Sequence, residues 1–365
     1  MKNPLKLWQR ILVFGMLIVL IVGVAAERYA ENNHKQSALA NLNLYLELRL
    51  TILSDFLKSM GTEVRSASTN HIVPQSNQDL SQAWSALSAQ EKEALERYFH
   101  ENQHGDDLTG LSKSQQAYMR AHQMFERYSK RFIEHFGYYD LFLIASNGDV
   151  VYSFAKEKDF GTNLASGPFN KTALAEVYHR AMELSQDDIV KNKEVLLFSD
   201  FEAYAPSQGE PAAFCAYPIQ KDGKTIGVLA LQIPTEYLNK MMAFTVGMGE
   251  TGETYIVGHD KLMRSQSRFS KEQTALKKIV DSPSVRMGLQ GKKSALVTRD
   301  YRNIPVLSAF APIDFGGHVW VVIAEMDEAE VIGNLRVLST ISCALAILLV
   351  IAVSVLYKRH ADKGR

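Results

Sequence analysis

Charge and apolarity alternate along this chain in long blocks before they alternate residue by residue. Val337 to Leu356 forms an uncharged, largely apolar run closed by Tyr357, Lys358 and Arg359. About 20 residues rising roughly 1.5 Å each cover the ~30 Å hydrocarbon layer of a bilayer, so the run predicts a transmembrane helix over 337–357. Lys358, Arg359, Lys363 and Arg365 stand against the lone acid Asp362 on its exit side, which places the tail 358–365 in the cytoplasm. Ile11 to Ala26 is a second apolar run, preceded by Lys2, Lys6, Trp8 and Arg10. It reads as an uncleaved anchor after a cytoplasmic segment 1–10, or as a secretory signal with Val24 and Ala26 at its cleavage site. Both readings export Glu27 onward. The anchor is preferred because the run is long and the residues after it continue as helix.

Between the two runs lies a loop, 27–336, outside the membrane. Leu39, Leu42, Leu46, Leu50, Leu53 and Leu57 recur at three- and four-residue spacing without proline, predicting a helix from Glu27 to about Val64. Its implied length is on the order of 55 Å, long enough to be a strut on which lobes are mounted. Further helices are predicted over Gln78–Asn102 and about Ser112–His135, and Gly105, Asp106, Asp107 and Gly110 form the break between them. Period two begins after Gly137: Leu141–Ile144 and Val150–Tyr152 flank Asn147-Gly148-Asp149 as a hairpin. A helix near Thr172–Leu184 follows, then strands at Val195–Ser199, Ala212–Ile219 and Thr225–Ile233. The plan recurs: a hairpin Thr254–Gly258 with Lys261–Ser265, a helix Lys271–Asp281, then strands Ser294–Thr298, Val306–Pro312 and His318–Glu325. Two copies of one supersecondary plan imply two lobes, 137–240 and 241–336, behind helices in 27–136. The fold class is α+β: a long N-terminal helix and two tandem PAS-like antiparallel-sheet lobes, flanked by two transmembrane helices.

Composition alters this picture in two places. The chain of 365 residues is formally neutral, but both membrane-flanking ends are basic, which leaves about six net negative charges on the exported part. A mildly acidic exterior excludes nucleic acid as partner. The two cysteines, Cys215 and Cys343, fall in an exported strand and a membrane helix, so no disulfide framework or metal knuckle is expected.

Candidate chemistry is sparse. Gly-x-Ser-x-Gly, His-Glu-x-x-His, Walker and Cys-x-x-Cys signatures are missing, and the chain is read as a non-enzyme without cofactor. His100 and His104 have helical metal-ligand spacing but no third ligand, and His259-Asp260 reads as a solvated turn, so no metal is assigned. The turn Gly249–Glu253 carries two acids that would repel phosphate. Ligand-binding candidates are therefore the strand aromatics of the first lobe, Tyr139, Phe142, Tyr152, Tyr204, Phe214 and Tyr217, with Asp200 to meet an amine or other cation. Strand alternation turns about half of such aromatics to the opposite face, where they are core.

Tyr138–Ile144, Asp159–Leu164, Tyr204-Ala205-Pro206-Ser207 and Gly249–Tyr255 together resemble the double Cache sensor domains of bacterial methyl-accepting chemotaxis receptors, which also precede sensor kinases and cyclases. The likeness covers Glu27 to about Leu356. It implies a membrane-distal lobe that binds a small molecule in the periplasm, a membrane-proximal lobe, and a homodimer in the inner membrane, in contact with lipid. Members with an output carry a HAMP helix pair and a signalling or catalytic domain after the second span, whereas the eight residues after Tyr357 are too few to fold. The chain is then the input module of a chemoreceptor or sensor kinase, or an accessory subunit signalling through a separate protein. The alternative is a membrane-anchored periplasmic binding or scaffold protein. The amino-acid-binding branch has an Arg-x-Trp-Tyr segment and an aspartate before a Gly-x-Pro turn. Trp8, Trp84 and Trp320 are out of context for the first, and Ala205 stands where the second would fall, which disfavours an α-amino acid ligand.

Overall fold

The computed structural model describes residues 7–102, 109–184 and 197–363. The predicted strut is one helix with the apolar run Ile11–Ala26: α1, Leu7–Thr69. Its apolar N-terminal part leaves Val13, Phe14, Leu17, Ile18 and Ile21 exposed, while Leu42, Leu46, Leu53, Leu57, Met60 and Val64 form a buried stripe against both sheets. Arg49 occupies the same stripe and is satisfied there: its guanidinium donates to Thr254 Oγ1 at 3.1 Å and to the Phe244 carbonyl.

The helix expected over Gln78–Asn102 is two, α2 (Ile72–Ser85) and α3 (Ala89–Asn102). Ser88 starts the second by a reciprocal cap, its hydroxyl accepting from Glu91 N while Glu91 Oε2 accepts from Ser88 N. Helix α4, Lys113–Phe136, opens on a Ser112/Gln115 capping box and ends at Gly137, whose φ of 78° is left-handed. His104 to Asp107 and Val195-Leu196 lie outside the described residues.

The first sheet comprises β1 (Asp140–Ala145), β2 (Val150–Ser153), β3 (Leu197–Phe198), β4 (Glu202–Tyr204), β5 (Glu210–Lys221) and β6 (Lys224–Pro234), with α5 (Ala173–Glu183) on one face and α6 (Thr235–Ala243) after it. Its strand order is β2-β1-β6-β5-β3, with β4 on β5, and every pairing is antiparallel. The second comprises β7 (Glu253–Val257), β8 (Ser294–Arg299), β9 (Pro305–Phe315) and β10 (His318–Asp327), in the order β7-β10-β9-β8, with α7 (Pro283–Leu289) on one face. In both sheets the first strand pairs with the last and the last with the one before it, so the internal repeat read from the sequence is present. Alternation divides each lobe's core: Leu141, Leu143, Leu229 and Leu231 pack toward the N-terminal helices, while Phe142, Ile144, Phe214 and Ala230 pack toward α5.

Two expected elements are overturned. Lys271–Asp281 has helical composition but is not a helix, because its backbone pairs with the preceding segment instead: Met263 N donates to Lys278 O, Leu276 N to Met263 O and Val280 N to Lys261 O. Leu276 takes a φ of 57°, and the helix forms only at α7, after the Ser282 cap and Pro283. The partner segment Lys261–Ser265 pairs through isolated bridges and not as a strand. Helix α8, Glu328–Lys363, follows β10 without an intervening residue and contains the apolar run Val337–Leu356.

Candidate functional site

At the end of the first sheet where β1 begins and β6 finishes, the strands place polar residues side by side. Asp140 pairs with Gln232, and Ala212 pairs with Pro234. A tight turn, with Gln208 at φ 58° and Gly209 at φ 83°, brings Ser207 over this end. The result is a cavity of ≈ 260 Å³ lined by Tyr139, Glu157, Ser207, Gln208, Glu210, Pro211, Gln232, Pro234, Thr235 and Glu236. Tyr139 donates to Glu157 Oε1 at 2.8 Å, Ser207 donates to Glu157 Oε2, and Gln232 Nε2 donates to Ser207 Oγ at 3.2 Å. Gln232 is 4% exposed, and its Oε1 has no partner.

Behind this wall sit two fully buried aspartates. Asp140 accepts from the backbone N–H groups of Leu141, Phe154 and Ala155 and from Ser153 Oγ at 2.7 Å. Asp159 accepts from the Tyr204 hydroxyl at 2.6 Å, and its Oδ1 has no partner. Burial pushes Asp140 up to about 6, against the pull of its four donors. Burial, with Asp140 and Glu157 as like-charged neighbours, pushes Asp159 up to about 8. Lys156, beside Glu157 in sequence, turns the other way: its ammonium is buried 4.2 Å from the Tyr152 ring centroid and 3.4 Å from Glu126 Oε2. Burial lowers its pKa, and its contacts with Tyr152 and Glu126 place it in the helix-side core and not at the cavity.

The structure distributes the seven sequence-derived candidates over four places. Tyr139 lines the cavity. Tyr204, Phe142 and Phe214 stack behind it on the α5 side, with Phe214 4.8 Å from Tyr204 and 6.1 Å from Phe142. Tyr152 and Tyr217 belong to the opposite, helix-side core, where the Tyr152 hydroxyl bonds Glu126 and Ser129. Asp200 faces the second lobe: Arg264 holds it through two bonds of 2.8 and 2.7 Å, and Trp320 Nε1 donates at 3.0 Å. Burial raises the Asp200 carboxyl, and the guanidinium overrides this to leave it below the ordinary carboxylate range. The predicted turn at His259-Asp260 belongs to the same junction, with Asp260 on Arg264 at 2.9 Å and His259 3.6 Å from Asp200. Sequence reasoning missed Glu157, Ser207, Gln232 and Asp159. The available signal was Gln232, a lone amide inside the apolar strand Val228–Ile233.

The family model described as Cache domain, dCache_1, matches residues 68–335. The chain belongs to the Cache domain family. The resemblance drawn from the four sequence motifs is thereby borne out, and both sheets fall within the Cache match. Over 215 residues the chain is 26% identical to Probable chemoreceptor y4sI of Sinorhizobium fredii, a match covering 59% of this chain and 26% of that protein. The Cache chain therefore corresponds to about a quarter of that relative's length. Among solved structures it is similar to the ligand-binding domain of Campylobacter jejuni chemoreceptor Tlp3 in complex with 4-methylisoleucine, at 14% identity and a TM-score of 0.49, covering 82% of this chain and 94% of that one. It is also similar to the ligand-binding domain of Pseudomonas fluorescens chemoreceptor CtaA in complex with L-isoleucine, at 11% identity and a TM-score of 0.46, covering 83% and 98%. Two helices of this Cache chain, Leu12–Thr69 and Glu328–His360, contain stretches long and apolar enough to cross a membrane.

Proposed function

We propose that this chain is an extracytoplasmic small-molecule sensor that passes its state across a membrane. The observation that carries the reading is the first-lobe cavity with a buried, unpartnered acceptor in its wall, since an acceptor removed from water is costly until something donates to it. The proposed layout puts 1–10 and 358–365 in the cytoplasm, spans at 11–26 and 337–357 in the inner membrane, and 27–336 in the periplasm. Lobe 137–240 is distal and binds; lobe 241–336 is proximal and relays. Two copies pack along α1, where Leu44 and Leu48 stand exposed. Binding favours one arrangement of the first lobe, which the Asp200–Arg264–Trp320 junction hands to the second lobe and β10 hands to α8. The role is binding and relay, not turnover.

The test is a chimera joining the chain at Lys363 to the cytoplasmic signalling domain of a characterised chemoreceptor, scored by swimming bias against a panel of metabolites. A response abolished by Gln232→Leu and by Tyr204→Phe supports the assignment. A compound that binds the purified chain while the chimera stays silent would favour the anchored-scaffold alternative.

A further inference from the structure

The wall of the cavity is one-sided in charge and in hydrogen bonding. Its ionisable lining residues besides Tyr139 are Glu157, Glu210 and Glu236, and no lysine or arginine lines it. Buried Asp159 and Asp140 add acidic groups behind the wall. Two of its three lining hydroxyls are already committed, because Tyr139 and Ser207 both donate to Glu157, and Thr235 carries the third. The Ser207 hydroxyl has only one proton, so its contact with Gln232 requires the amide nitrogen on that side, and this turns Gln232 Oε1 away as a free acceptor. The Tyr139 ring, 45% exposed, adds an aromatic surface at the rim. No group of three or more metal-type ligands occurs among the described residues, which points away from a bare metal ion.

Resting on the sensor reading above, we infer that the cavity takes an organic cation bearing N–H donors, a primary ammonium or a guanidinium, and does not recognise a carboxylate. An ammonium supplies three donors and a positive charge; Gln232 Oε1 accepts one bond, Glu157 balances the charge, and Tyr139 offers a π face. A carboxylate, including that of an α-amino acid, would meet three carboxylates and no cation there.

The experiment is isothermal titration calorimetry of the full chain in nanodiscs with ethylamine, 1,4-diaminobutane and methylguanidine, against acetate and L-valine. The expected result is saturable binding of at least one of the three cations, weakened at least tenfold in Glu157→Gln, a nearly isosteric change, and lost in Gln232→Leu, with acetate and L-valine silent. A melting curve for each variant confirms that it is folded. Acetate or L-valine binding that disappears in Gln232→Leu, with the cations silent, would overturn the ligand class and leave the cavity as the site. Cation binding unmoved by either variant would overturn the cavity itself, and silence of all five probes would overturn the inference.

Discussion

Side chains buried against their chemical preference show most directly what this chain is built to do. Glu325 and Glu253 lie directly opposite each other on β10 and β7, at 2% and 3% exposure, an arrangement that two charged carboxylates would oppose. Glu253 is held by Ser267 Oγ at 2.6 Å, Arg268 N at 2.8 Å and Tyr301 OH at 2.8 Å. Glu325 has the Tyr255 hydroxyl at 2.8 Å on one oxygen, with Ser308 opposite it on β9 and Asp300 and Glu253 as acidic neighbours. Burial, reinforced by those acids, pushes Glu325 up to about 7, so the folded chain keeps a proton that the unfolded chain has released. The stability from that proton is full below an ordinary glutamate's pKa and is lost as pH climbs to about 7, on the order of 2–3 kcal/mol. The melting temperature is therefore expected to rise by several degrees from pH 7.5 to pH 5, and Glu325→Gln to reduce the rise without abolishing it, because buried Asp140 and Asp159 are shifted in the same direction; an unchanged slope would place the proton elsewhere. Sequence showed little at this scale. Which tyrosines face α5 and which face the helices depends on register, and Asp200 looked available because Arg264, 64 residues away, is brought to it only by the meeting of the lobes.

At the scale of elements, local signals were readable wherever local chemistry decided the outcome. Ser112 and Gln115, Gly137, Asn147-Gly148-Asp149 and the two-residue alternation of β5 and β6 announce their structures because caps, turns and pleats act within a few residues. The Ser88/Glu91 cap that divides α2 from α3 is equally local and is written in the sequence as Ser-x-x-Glu. Lys271–Asp281 was not readable, since the hydrogen bonds that prevent its helix come from Lys261 to Gln266. Gly137 offers the cleanest test. Its left-handed backbone, and the Tyr237 hydroxyl where a Cβ would go, predict that Gly137→Ala costs about 1–3 kcal/mol in denaturant unfolding, with Tyr237→Phe restoring part of it.

Across the whole molecule, the two lobes meet through a small set of strong contacts. Arg264, 1% exposed, bridges Asp200 and Asp260, and Trp320 stacks on Phe315 at 3.8 Å while donating to Asp200. Phe198 packs 5.2 Å from Phe315, and a Cβ at Gly316 would collide with it. Removing one partner leaves the other buried and charged, so Arg264→Met is expected to cost about 3–5 kcal/mol and to split a single calorimetric transition into two. The paired change Asp200→Leu with Arg264→Met should recover much of the loss, and independent, additive effects would show that this contact does not join the lobes. The overall plan, two similar lobes on one strut with a long apolar helix at each end, was readable because apolar block length and repeated supersecondary order are properties of the sequence itself. The contact between the lobes was not, because no periodicity records it.

The union of β10 and α8 also sets an angular phase. Glu330 clasps the Glu250 and Thr251 backbone from the first turn of α8, and Arg302 holds Asp327 at 2.7 Å, so the helix leaves the sheet at a fixed azimuth. One residue inserted after Ile332 would swing every downstream side chain by about 100°, whereas seven would return it nearly to its starting bearing. A chimera whose output bias changes with one inserted alanine and recovers with seven would show that this sensor is read as a rotation, and equal output from both would leave only axial travel as its message.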